Sequence, residues 1–169
     1  MGERIEHIGE SVTACSPSVL DALGTAGWRA GRKIAIAEWT RQLTGAGFEL
    51  NSVAVAVWAE FGGLTIESSS TRVPGSSLRM DPVDACVDAA EEASKLRLHH
   101  GENFSPLGMW SIQFRTYIAA GGRVVAVGPN WLWPLGSTFV DALAYVVDGD
   151  GGVDRAEQAD WLANCLPGK

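Results

Sequence analysis

A chain of 169 residues with 46% apolar and only 20% charged side chains has the composition of one folded domain and excludes intrinsic disorder. Thirteen Lys and Arg against twenty Asp and Glu leave a formal charge of −7, which excludes the basic footprint of a nucleic-acid binder and favours a basic partner if the partner is charged. No apolar run approaches the ~20 residues of a membrane span, the first ten residues hold no signal-peptide core, and Cys15, Cys86 and Cys165 form no C-x-x-C pair, so a reducing cytoplasm is the expected compartment.

Residues 1–15 form a mixed N-terminal extension. Ser16 as cap and Pro17 at the first helical position open a helix with Val19, Leu20 and Leu23 on one face, closed by Gly24 and Gly27. A basic loop, Trp28 to Arg32, leads to a second helix marked by Ile36, Trp39 and Leu43 and ended at Gly45-Ala46-Gly47. Asn51 caps a third, whose buried face is Val53, Val57, Trp58 and Phe61; Gly62-Gly63 stop it, and Leu64-Thr65-Ile66 resume as a strand. That corner joins the helical first third to a sheet.

Polar β-prone residues Ser68 to Thr71 and the turn cluster Val73-Pro74-Gly75-Ser76 read as a hairpin. Asp81-Pro82 then starts a helix expected to reach about His99, with Gly101 past its end. At a helical step Val83, Cys86, Val87, Ala90 and Ala93 fall on one side and Asp84, Asp88, Glu91 and Glu92 on the other. Phe104 to Gly108 reads as a break, after which Met109 to Ala119 alternates strictly as one strand, with Trp110, Ile112, Phe114, Thr116 and Ile118 on one face. Ala120-Gly121-Gly122 turns it back into Val124 to Val127. Pro129 to Gly136, holding Trp131 and Trp133, reads as an irregular aromatic loop; Ser137 caps a last helix through Phe139, Leu143 and Val146 or Val147, ended by Gly149; and residues 150–169 read as a helical tail. Helices, hairpin, helix, hairpin, helix is the order of an α+β domain.

Two surfaces are candidates for partner binding. Asp84, Asp88, Glu91 and Glu92 would offer a carboxylate stripe to a basic protein, the alternative being an ordinary solvated helix face. Trp131 and Trp133 would be interface anchors, the alternative being core plugs. No catalytic, cofactor or metal residues are assigned. Asp148-x-Asp150-x-x-x-Asp154 fails as a calcium loop because Val153 holds the glycine position and Ala159 the bidentate one. His99 and His100 point apart on a helix and suit its C-terminal dipole, and no nucleophile elbow, H-E-x-x-H or Walker loop occurs.

Six fragments resemble, in order and spacing, the SUKH-3 immunity proteins: L-G-T-A-G-W-R-A-G-R at Leu23–Arg32, Trp39 to Leu43 followed by G-A-G-F at Gly45–Phe48, A-E-F-G-G-L at Ala59–Leu64, M-D-P at Met80–Pro82, S-P-L-G at Ser105–Gly108, and L-G-S-T-F-V-D-A-L at Leu135–Leu143. The likeness spans about residues 16–149. It implies membership of the SUKH superfamily, related to the Smi1/Knr4 proteins: one α+β domain with a curved, largely antiparallel sheet packed with helices. It further implies a bacterial immunity protein, without catalysis, that binds and neutralises a cognate polymorphic-toxin domain such as a nuclease or deaminase. An adaptor of the same superfamily without a toxin partner, and a hydrolase or transferase with an unrecognised site, are the competing readings.

Overall fold

The computed structural model describes residues 8–86, 88–149 and 155–162. Four helices come first: α1 (Ile8–Thr13), α2 (Pro17–Ala26), α3 (Ala37–Gly45) and α4 (Ser52–Phe61). The caps of α2 and α4 are those the sequence names, whereas the last helix is capped by Thr138, whose Oγ1 accepts from the Asp141 amide, and not by Ser137. Ser16 Oγ accepts from the Val19 amide and Asn51 Oδ1 from the Ala54 amide, each satisfying one amide left orphaned at a helix start. The expected N-terminal extension thus contains a short helix, with Val12 fully buried.

The corner after α4 forms as expected. Gly63 takes φ +79, and Arg32 donates to the carbonyls of Glu60 at 2.6 Å and Gly62 at 2.9 Å, closing the helix end that lacks its own amide partners. Trp58 and Phe61 are fully buried. Phe61 packs on Trp28 and Phe139, and Trp58 Nε1 donates to the Pro106 carbonyl at 2.9 Å. Burial of a ring such as Phe61 is worth about 1.5–3 kcal/mol.

Seven strands follow in a simple antiparallel meander, in sheet order β1 to β7: β1 (Thr65–Glu67), β2 (Ser77–Arg79), β3 (Phe104–Trp110), β4 (Phe114–Ala119), β5 (Val124–Gly128), β6 (Trp131–Gly136) and β7 (Glu157–Gln158). Between β2 and β3 lie α5 (Pro82–Cys86) and α6 (Ala90–His100); between β6 and β7 lies α7 (Phe139–Asp148). The architecture is one α+β domain. Phe114, Thr116 and Ile118 share a face with Trp110, Ala126 and Val124, their cross-strand partners, and this is the face on which α4 and α7 lie. Arg115 and Tyr117 point the other way, toward α6. A sheet covered on both sides buries every residue, which is why Val124–Gly128 reads as an unbroken apolar run.

Five expectations need correcting. The segment 104–108 is not a break but most of β3: the ladder shifts register between Pro106 and Gly108, a bulge that accommodates the missing proline amide. Met109–Ala119 is therefore two strands joined at Ser111-Ile112-Gln113, with Ser111 at φ 50 and Ile112 at φ 70. Trp110 pairs directly with Phe114, so the alternation passes through the turn in phase and conceals it. The stretch 131–136 is strand β6, paired with β5 after a tip at Asn130 with φ 60. The helix expected over 81–99 is two. Finally, residues 155–162 do not continue a helix but add β7 to the sheet edge and a short 3₁₀ turn, Asp160–Leu162; the rest of the expected tail, 150–154 and 163–169, lies outside the described residues.

Candidate protein interface

The expected acidic stripe rests on one helix running through residues 84–92, and the interruption between α5 and α6 changes its phase. Ala89, Glu92, Ala93 and Leu96 now face inward together. Glu92 is 7% exposed. It accepts from Arg115 Nε at 2.8 Å and Nη2 at 2.9 Å and from the Tyr117 hydroxyl at 2.7 Å, a two-pronged ion pair with a third donor. Glu92 thus leaves the stripe and joins α6 to β4. Burial, the nearby charges of Cys86 and Glu92, and the hydrogen bond to Glu92 all push the Tyr117 phenol up, and burial pushes the neighbouring Cys86 thiol to about 12, too high to act as a nucleophile. Asp84, Asp88 and Glu91 are exposed. Asp84 is held by Arg79 at 2.8 Å. Asp88 and Glu91 remain as solvent-facing carboxylates at the start of α6.

Trp131 and Trp133 lie two residues apart on β6 and therefore on one face, the one they share with their partners Gly128 and Ala126. Trp133 meets Phe114 with ring centroids 4.5 Å apart and Trp110 at 6.1 Å; Trp131 is 6.4 Å from Trp133. Trp110 also donates from Nε1 to Ser76 Oγ at 2.8 Å and faces Tyr145 of α7. Two guanidiniums lie over the Tyr145 ring, Arg155 at 4.3 Å and Arg72 at 5.1 Å from its centroid. Trp133 is half-buried, a packing residue, whereas Trp131 at the rim is 42% exposed.

The meander places three tips at this end of the sheet: the β1–β2 loop, the β3–β4 turn and the β5–β6 turn. Ser111 donates its amide to Ser77, tying the second tip to the first. Each tip carries an apolar side chain in water, Val73 at 88%, Ile112 at 84% and Trp131 at 42% exposure. Among the described residues the only non-glycine residues with positive φ are Ser111, Ile112 and Asn130, all in two of these tips. A β-branched residue held left-handed and exposed costs free energy that local packing does not return. Ile112 and Val73 were missed by sequence reasoning because Ile112 sits in phase with a strand and Val73 beside a turn proline.

Elsewhere, His99 and His100 end α6 beside Trp161, which stacks on His99 at 4.1 Å. Among the described residues no group of three His, Cys, Asp or Glu could hold a metal ion, and no helix is long and apolar enough to cross a membrane. Of the rejected calcium motif, Asp148 accepts from the hydroxyls of Ser16 and Ser18, and Asp150 and Asp154 lie outside the described residues.

No curated protein and no solved structure matches the chain. The family model described as SUKH-3 immunity protein matches residues 15–149, from the residue before the cap of α2 to the glycine that ends α7. The match runs over the corner at Gly62-Gly63, both surfaces just described and six of the seven strands, and on it the chain belongs to the SUKH-3 immunity protein family.

Proposed function

We propose that this chain is a cytoplasmic immunity protein that binds a cognate polymorphic-toxin domain, a nuclease or deaminase of basic character, and neutralises it by occupying its surface. The observation that carries this reading is membership of an immunity-protein family. The apolar tips of the sheet support it. Trp131, exposed and backed by a packed aromatic cluster, has with the exposed Ile112 the form of an anchor that fills a pocket on a partner. Asp88 and Glu91 act at longer range, drawing in a basic partner. No catalytic step is assigned to the chain.

Co-expression with the C-terminal toxin domain of any large secreted protein encoded in the adjacent reading frame tests this. Cells should survive the toxin when the chain is present, and the two proteins should co-purify as a complex. Trp131→Ala, a change at an exposed position, should keep the fold and weaken the complex by about 30-fold, the loss of one hot-spot side chain worth ~2 kcal/mol. Killing undiminished by the unaltered chain, with no complex, would refute the immunity reading.

A further inference from the structure

Residues 155–162 lie beyond the stretch matched by the family, yet they are built into the end of the sheet that carries Trp131. Gln158 pairs with Trp131 and Glu157 with Leu132. The Ala159 amide donates to the Asn130 carbonyl at 2.7 Å, at the positive-φ residue that forms the tip. Arg155 donates to the Leu135 carbonyl at 2.9 Å and lies over Tyr145, against the same aromatic cluster. One side of β6 is therefore held by β5 and the other by this segment. The segment itself is fastened at its far end: Ala159 is 1% and Leu162 5% exposed, and Trp161 stacks on His99 with the ring planes 10° from parallel.

From this arrangement we propose that residues 155–162 are a positioning strap, locked by Trp161 on α6, that holds the Asn130-Trp131 tip in the conformation a partner protein reads. Without the strap, β6 would be an edge strand ending in a strained tip, free to exchange its hydrogen bonds with water. The cost of ordering Trp131 is met in the free protein, so a partner does not bear it on binding. Trp161 acts through Trp131 and touches no partner. The binding arm of this inference rests on the function proposed above; the structural arm does not.

Amide hydrogen exchange on the free chain is the first test. Trp161→Ala should speed exchange of the peptide spanning 128–133 by about tenfold or more while leaving β3 and β4 protected, and Trp161→Phe, which keeps a stacking ring on His99, should restore it. Unchanged exchange at 128–133 in Trp161→Ala overturns the strap. So does loss of protection throughout the sheet that Trp161→Phe does not reverse, because the residue would then be a general core element. The second test is a double-mutant cycle against the toxin domain that the co-expression test identifies. Trp161→Ala should weaken binding about tenfold in the unaltered chain and have little effect once Trp131 is Ala; equal losses in both backgrounds overturn action through Trp131. If the unaltered chain binds no toxin, the immunity reading fails and the exchange result alone decides the strap.

Discussion

Glu92 is a charged side chain that the fold uses internally. Its carboxylate is matched to Arg115 and Tyr117 by three hydrogen bonds. Arg115 is 45% exposed along its side chain and can be rehydrated if Glu92 is lost, whereas the fully buried Tyr117 hydroxyl cannot. Glu92→Ala should therefore cost about 2–3 kcal/mol, less than for a fully enclosed ion pair and more than for a surface one. Urea unfolding reads this directly, and Glu91→Ala beside it should stay within about 0.5 kcal/mol of the unaltered chain. His100 is the second residue with a legible consequence. Arg123 donates to its Nδ1 at 3.1 Å, so that nitrogen carries a lone pair and the ring is neutral. Burial first, then the charges of His99 and Arg123, lower its pKa from 6.5, against the opposing pull of Glu102 and Glu157. A histidine with a lowered folded value takes up its proton first in the unfolded chain. Its neutral form costs nothing above the ordinary value, and stability is lost as pH falls below about 6.5 toward the lower folded value. The melting temperature should drop between pH 7 and pH 5, and the drop should be smaller in His100→Gln; equal slopes would remove His100 as its source.

Two glycines show what the elements demand of the backbone. A Cβ on Gly108 would lie 1.8 Å from the Arg79 carbonyl oxygen, where β2 crosses the β3 bulge. At Gly63 there is open space and the constraint is φ +79 alone. Gly63→Ala should cost about 1–2 kcal/mol, the strain of a left-handed L-residue. Gly108→Ala must push two backbones apart and should cost about 3 kcal/mol or more. Thermal unfolding of the pair tests that ranking, and a more stable Gly108→Ala would mean that the bulge yields. The same two sites mark where the sequence was readable. The corner at Gly62-Gly63 and the starts of α2 and α4 were legible because Ser16, Asn51 and the glycines act locally, on amides and carbonyls within a turn. The bulge was not, because S-P-L-G is a strand only by virtue of what lies beside it. Nor was the Ser111-Ile112-Gln113 turn, since Trp110 and Phe114 keep the same parity across it. Glu92 was misread for a related reason. Its burial depends on the interruption before α6 and on Arg115, more than twenty residues away. Trp131 and Trp133 were candidates from composition and spacing, but their separation into an exposed ring and a half-buried packing residue required the pairing of β5 with β6.

At the scale of the whole molecule, the proposed binding mode divides recognition between charge and apolar surface. The chain carries a formal −7, and a field of that sign acts on a basic toxin over about a Debye length, roughly 10 Å at 0.1 M salt, before any contact forms. Asp88 and Glu91 contribute to that field from exposed positions and share no hydrogen bond with the aromatic end of the sheet. Trp131 contributes nothing to the field, and as the proposed anchor it would act only once water has been expelled from around it. The two kinds of residue should therefore separate in kinetics. Reversing Asp88 and Glu91 to Lys should slow association by about tenfold at low ionic strength, flatten its dependence on salt and leave dissociation nearly unchanged. Trp131→Ala should leave association within about threefold and raise dissociation by most of the ~30-fold loss in affinity. Surface plasmon resonance with the toxin domain, run from about 50 to 500 mM salt, measures both rates on the same sample. If charge reversal instead raised the dissociation rate at high salt, where long-range attraction is screened, Asp88 and Glu91 would be in the contact itself and the start of α6, rather than the tips of the sheet, would be the surface that meets the toxin.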